Sequence, residues 1–257
     1  MKLRFALAVG YMTVLCGASV SSAETGDLKI RFEYDASPVP PQPINVGNQA
    51  FCSEHPLTNE KLLVNPKNKG IRSVVVYVYT GRGGSELPEF DPLNNTHELA
   101  NDKCRFEPHI VISQTGDTLK VTNPDDVGHN ANLSFLRNNP QNFTIPPKQE
   151  KSVKLKVAEP APIPVDCNIH PWMRSYVVVL DHPFAAKSDE NGELTIKRLP
   201  AGEKLVFRVF HEAGSIDDVI VDGKNESWGR SRFEVKIKPG MNDMGTVLVP
   251  AKSLKAN

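Results

Sequence analysis

Cys167, His170 and Met173 stand three residues apart in Cys167-Asn168-Ile169-His170-Pro171-Trp172-Met173, and a further imidazole, His129, lies 38 residues before Cys167 in Gly128-His129-Asn130. One thiolate, two imidazoles and a weak axial thioether suit a copper ion that alternates between Cu(I) and Cu(II). The chemistry on offer is one-electron transfer. A C-x2-H-x2-M spacing fits one tight loop between two strands and delivers three donors to one point, while His129 closes the site from a neighbouring strand. Each residue alone is ordinary: a surface His, a buried thiol, a loop His, a core Met. Their conjunction points to a metal. Structural zinc would want four strong ligands and commonly a second thiolate. A neutral thioether in fourth place favours copper, and so does the affinity order, Cu(II) above Zn(II).

The elements that position these donors begin after an expected leader. Lys2 and Arg4 precede an apolar run from Phe5 to Val20, and Ser21-Ser22-Ala23 offers small residues for cleavage before Glu24. This reads as a signal peptide over residues 1–23 and predicts a periplasmic or secreted protein. Cys16 follows Leu15, where a lipoprotein signal wants a small residue, so lipid attachment is disfavoured. No later segment reaches the roughly 20 apolar residues of a membrane helix. The 30 Lys+Arg balance 30 Asp+Glu, which gives no broad basic field for nucleic acid.

Three cysteines follow the leader, Cys52, Cys104 and Cys167. An odd number in an exported chain means that one is free, intermolecular or metal-bound. Pairing Cys52 with Cys104 resolves the parity and leaves Cys167 reduced.

The rest reads as strand and turn. Leu28-Phe32, Val74-Tyr79, His109-Ser113, Thr118-Thr122, Val153-Val157, Tyr176-Leu180, Leu194-Ile196, Leu205-Phe210, Val219-Val221, Phe233-Ile237 and Thr246-Val249 are short β-branched or aromatic runs bounded by Gly, Pro, Asn or Asp. No stretch sustains a helical apolar period, so the spacing predicts an all-β, Greek-key sandwich. Ser37 to Pro43 reads as a stiff proline linker, and residues 81–102 as a polar surface excursion ending near Cys104. The proline-rich residues 158–164 predict an edge strand or a rigid rim of the metal site, because proline lacks a ladder donor. Asp189-Glu190-Asn191-Gly192 and Leu199-Pro200-Ala201-Gly202 read as hairpin turns. The expected domains are residues 24–182, which hold the metal, the first strand and the disulfide-tied segment, and residues 183–257, β-rich strands forming a second small sandwich or a sheet extension.

Cys167 to Val179, CNIHPWMRSYVVV, closely resembles the ligand loop of the amicyanins, cupredoxins whose Cys, His and Met are two residues apart; plastocyanin-like relatives lengthen the second gap. The likeness extends through Pro171, Trp172 and Arg174, and His129-Asn130 is similar to a His-Asn pair common in the family. The wider chain resembles exported bacterial methylamine-utilization-like proteins, in which a DHPxF segment, a DENGE-type turn and LPAG follow. The sequence departs from the amicyanins in Ile163-Pro164-Val165-Asp166, where they carry an aromatic strand. The resemblance implies a cupredoxin-like fold with one type 1 copper held by His129, Cys167, His170 and Met173. It makes Asn130 a brace for the Cys loop through its backbone or amide. It makes the exposed edge of His170 the electron port, with Pro171 and Trp172 in an apolar docking rim. Trp172 reads equally as an aromatic capping the core. The implied partners are redox proteins such as a cytochrome c or a quinoprotein dehydrogenase.

A copper oxidase or nitrite reductase needs a second, open site built mainly from histidines. His55, His97, His109, His182 and His211 are scattered without an HxH pair, which argues for a carrier and against an enzyme. The alternative is a cell-surface or carbohydrate-binding sandwich with incidental copper, for which Trp228 is the obvious exposed aromatic. His109 and His211-Glu212 read as structural. Sequons at Asn94, Asn132, Asn142 and Asn225 matter only in a host that glycosylates exports.

Overall fold

The computed structural model describes residues 24–256; the expected leader, residues 1–23, lies outside the described residues. Strand β2 (Val75–Val78) is buried on both faces, which requires a packed layer on either side of it. Val76 and Val78 point into one apolar core, Val75 and Tyr77 into another. Four sheets stack around that strand.

The first sheet orders β13 (Glu193–Pro200), β1 (Thr25–Tyr34), β18 (Gly240–Val249), β15 (Asp218–Val221) and β16 (Lys224–Ser227). The second orders β12 (Ala185–Lys187), β2, β14 (Lys204–Phe210) and β17 (Arg232–Lys236), and the large core with Phe32, Phe207 and Trp228 fills the space between these two. The third orders β5 (Ile110–Gln114), β11 (Arg174–Leu180), β10 (Ile163–Asp166), β7 (His129–Leu133) and β8 (Gln141–Ile145). The fourth orders β4 (Arg105–Glu107), β3 (Thr96–Asp102), β6 (Thr118–Thr122) and β9 (Glu150–Lys154), and encloses a second core with the third. Sheets two and three meet back to back through Val75, Tyr77, Ile110, Val178 and Leu180. The molecule is therefore all-β, two sandwiches sharing a central apolar contact.

The domain boundaries differ from those expected. Strand β1 pairs with β13 and, in parallel, with β18, so it belongs to the sandwich of residues 183–256 and not to that of the metal site. Strand β2 joins the same sandwich through β12 and β14. The metal-site sandwich is an insertion between β2 and β12. Local patterning cannot reveal this, because the partners of β1 lie at the far end of the chain.

Other expectations need correction. Residues 96–102 are not surface excursion: β3 sits between β4 and β6, with Leu99 and Asn101 fully buried. Strand β10 is central rather than an edge or a rim. It tolerates Pro164 because its pairing with β7 covers only Val165 and Asp166, so the missing N–H falls where no ladder bond is needed. The two expected hairpin turns each carry the chain between sheets one and two rather than along one ladder. Gly192 in the first has φ 77°, and a Cβ there would meet the Phe32 carbonyl oxygen at 2.2 Å. Trp228 is 2% exposed and packs on Phe32 and Phe233, which removes the aromatic expected to support a carbohydrate-binding surface.

Candidate metal centre

Three segments converge at one end of the third sheet. Strands β10 and β11 are antiparallel with Asp166 opposite Arg174, so the seven residues between them form a closed loop. The Asp166 carboxylate accepts the Arg174 guanidinium at 2.6 Å across its neck. Inside, the Cys167 N–H donates to the Met173 carbonyl at 3.2 Å and the Met173 N–H to the His170 carbonyl at 2.9 Å. Strand β7, on the other side of β10, brings His129 to the same end.

The ligand atoms of His129, Cys167 and His170 lie within 4.8 Å of one another, and all three residues are buried. The His170 Nδ1 is 3.0 Å from the His129 Nδ1 and 3.8 Å from the Cys167 Sγ. With metal–N bonds of about 2.0–2.1 Å and metal–S bonds of about 2.3 Å, one ion can bridge two nitrogens up to about 4 Å apart and a nitrogen and sulfur up to about 4.4 Å apart. Both distances fall inside those limits, so the donor set fits a single ion. Met173 is buried against the same core. Asn130 braces the loop in two ways: its N–H donates to Cys167 Sγ at 3.3 Å, and its Oδ1 accepts the Asn168 N–H at 3.2 Å.

The remaining thiols are joined as Cys52–Cys104, leaving Cys167 the free cysteine among the described residues. Burial pushes the Cys167 thiol up, but His129, His170 and the Asn130 N–H outweigh it and bring the pKa down to about 6. Burial disfavours charge on His129 as well, yet hydrogen bonds to Asp125 and Cys167 leave its pKa raised. These neighbours favour the thiolate form of Cys167, which is the form that can serve as a metal donor.

No family model and no curated protein matches the chain. Among solved structures, a Cu(I) amicyanin variant is similar at 21% identity over 32% of this chain and 79% of its own, with a TM-score of 0.29. A second Cu(I) amicyanin variant is 18% identical over 42% of this chain and 98% of its own, TM-score 0.30. A copper-containing nitrite reductase from Thermus scotoductus SA-01 is 16% identical over 37% of this chain, which spans 25% of that enzyme, TM-score 0.30.

His170 departs from the expected electron port. It is 1% exposed, with Trp172 at 5.2 Å between ring centres, so its imidazole edge does not reach the surface. Asn168, Ile169 and Pro171 are the exposed residues of the loop. Trp172 is half-buried and its Nε1 donates to the Cys104 carbonyl at 3.0 Å, tying the loop to the disulfide. Asp125 was not singled out by the sequence. Its Oδ2 meets the His129 Nε2 at 2.8 Å, which leaves Nδ1 free to face the other donors. A carboxylate four residues before a candidate ligand, in Asn123-Pro124-Asp125-Asp126, was the available signal.

Proposed function

We propose that this chain is an exported type 1 copper protein that carries single electrons between redox partners. The observation that carries the reading is the convergence of two imidazole Nδ1 atoms on a reduced, thiolate-prone Cys167 while Cys52 and Cys104, the other cysteines among the described residues, are bridged. His129, Cys167 and His170 would supply the strong donors and Met173 the axial one. Bound there, copper supplies a Cu(I)/Cu(II) couple. The chain's part is to hold its donors still: Asp125 orients His129, Asn130 braces Cys167, and the closed loop fixes His170. Four protein donors leave no position for a substrate, which favours a carrier over a catalyst. With His170 buried, the partner's contact is the apolar Ile169, 43% exposed, and its neighbour Pro171. A cytochrome c or a quinoprotein dehydrogenase is the partner class that the ligand-loop resemblance suggests. Export to a periplasmic or extracellular space is supported by the leader-like residues 1–23 and by the disulfide.

The test is addition of Cu(II) to the purified mature protein. Intense visible thiolate-to-copper absorption is expected, bleached by ascorbate, absent in Cys167→Ala, and restored by anaerobic mixing with a ferricytochrome c. Copper-saturable turnover of nitrite or a phenol would instead make it an enzyme.

A further inference from the structure

A cavity of about 80 Å³ has Glu60, Lys61, Arg105, His109 and Glu212 in its walls. Glu60 lies between β1 and β2 and Glu212 follows β14, so both carboxylates come from one sandwich, while His109 precedes β5 of the other. The His109 and Glu212 side chains are 12% and 8% exposed, and the His109 Nε2 is bonded to the Glu212 carboxylate. A carboxylate only accepts, so Nε2 carries the hydrogen and the neutral ring presents a lone pair at Nδ1.

That Nδ1 is buried without a hydrogen-bond partner. The Glu60 Oε2 stands 3.9 Å from it, too far for a hydrogen bond. Two acceptors therefore face each other across a gap, and a buried polar atom left unmet costs about 1–3 kcal/mol. With bonds of about 2.0–2.2 Å to an imidazole nitrogen or a carboxylate oxygen, one ion spans up to about 4.2 Å, so the gap suits a single cation. The cavity also has room for waters on that ion, each needing roughly 10–15 Å³ of such space. Glu212 already holds the other imidazole nitrogen, the arrangement that orients a metal-binding histidine and raises its basicity. Of the cations in the wall, Arg105 is paired with the second Glu60 oxygen at 3.2 Å and Arg174 with Asp166 at 2.6 Å. Lys61 remains as a repelling charge.

We propose that the His109 Nδ1 and the Glu60 carboxylate bind a divalent cation of the zinc class in this cavity, with Glu212 orienting the imidazole and water filling the remaining positions. The ion clamps one sandwich to the other. Met173 is part of the cavity wall, yet the site uses none of the four proposed copper donors, so it stands or falls separately from the electron-carrier reading.

Calorimetric titration with zinc chloride tests it in the full chain carrying Cys167→Ala, which removes the thiolate of the other candidate centre. Saturable binding of zinc is expected, together with a rise in the thermal unfolding midpoint, because an ion bridging the sandwiches binds the folded state alone. Adding His109→Gln or Glu60→Gln should weaken that binding by about tenfold or more and abolish the rise. Glu212→Gln should weaken it by about tenfold, since the imidazole loses its charged partner, and Lys61→Ala should tighten it. No binding, the outcome when an ordered water alone fills the gap, overturns the proposal. Binding that persists unchanged with His109→Gln or with Glu60→Gln also overturns it, because the zinc then sits elsewhere, on His129 and His170 for example. Should far-UV circular dichroism show the His109→Gln protein unfolded, Glu60→Gln, at a side chain 23% exposed, decides by the same two outcomes.

Discussion

The Asp125 carboxylate accepts the N–H groups of Lys103 and Cys104 at 2.7 and 2.9 Å on one side and meets His129 on the other, so the turn beside the disulfide aims a proposed metal donor. Lys103 and Cys104 both sit in the left-handed region, a conformation that needs such holding. Asp125→Ala would strand the buried Cys104 N–H, remove the acceptor of the part-buried Lys103 N–H and free the imidazole to rotate. Its expected cost is about 2–4 kcal/mol in urea unfolding of the metal-free protein. Copper affinity, measured by competition with a chelator, should fall about 10–100-fold. That His129, Cys167 and His170 come together was readable in the sequence because residue type and spacing carry it. Asp125 was not, since a carboxylate in an Asn-Pro-Asp-Asp loop is indistinguishable from surface polarity until its partners are placed. The burial of His170 was hidden for the same reason: it depends on how Trp172 folds back toward Cys104.

At the scale of elements, the strands with strong alternation or β-branched runs were legible, whereas β3, β4, β8, β10, β12 and β16 were not. Thr96–Asp102 carries mostly polar residues and is held by its neighbours, parallel to β6 and antiparallel to β4. Its start is fixed from outside the strand. Asp117, buried before β6, accepts the Asn95 and Gln114 N–H groups at 2.8 Å each and meets the His97 Nε2 at 2.8 Å. Burial pushes this carboxyl up, but those bonds prevail and its pKa is lowered. A carboxylate with a lowered folded pKa stabilises fully above its unfolded pKa of about 4, and that contribution is lost as pH falls through the folded value. Asp117→Asn should therefore cost about 1–3 kcal/mol at neutral pH and converge toward wild type in acid, as urea midpoints at the two pH values will show. The disulfide acts on a different connection. Cys52 lies between β1 and β2 of one sandwich and Cys104 between β3 and β4 of the other, 52 residues apart. A Cys52→Ala/Cys104→Ala double variant should lose about 4 kcal/mol on the chain-entropy model, and thermal unfolding should register it.

The whole molecule is closed by its ends. Strand β1 runs parallel to β18, and the Arg31 guanidinium reaches Thr246, 215 residues away, so the outer sandwich forms only after the inserted one has been spanned. No local pattern encodes that pairing, which is why the strands were readable while the domain boundary was not. Polar links join the sandwiches besides the apolar contact and the disulfide: Glu212 pairs with His109, Glu60 with Arg105 at 3.2 Å, and Lys187 donates to the Ile110 carbonyl at 2.7 Å. Next to the first of these, His211 is 4% exposed, its Nε2 bonded to the Arg72 carbonyl and its Nδ1 accepting the Ala213 N–H. That arrangement needs the neutral ring, and burial lowers the His211 pKa to about 4. His182, bonded in the same manner to Val78 and Phe184, is lowered too, again by burial. A histidine with a depressed folded pKa binds its proton first in the unfolded chain. Stability is therefore retained above pH about 6.5 and lost as pH falls toward about 4, by on the order of 3 kcal/mol for His211, with no further loss from this group below that. His211→Gln removes the titrating group while offering a side-chain amide to the same neighbours. Its unfolding free energy, measured in urea across this pH window, should fall less steeply than that of the wild type. An identical slope in the variant would show that His211 is not the group that makes the fold acid-sensitive.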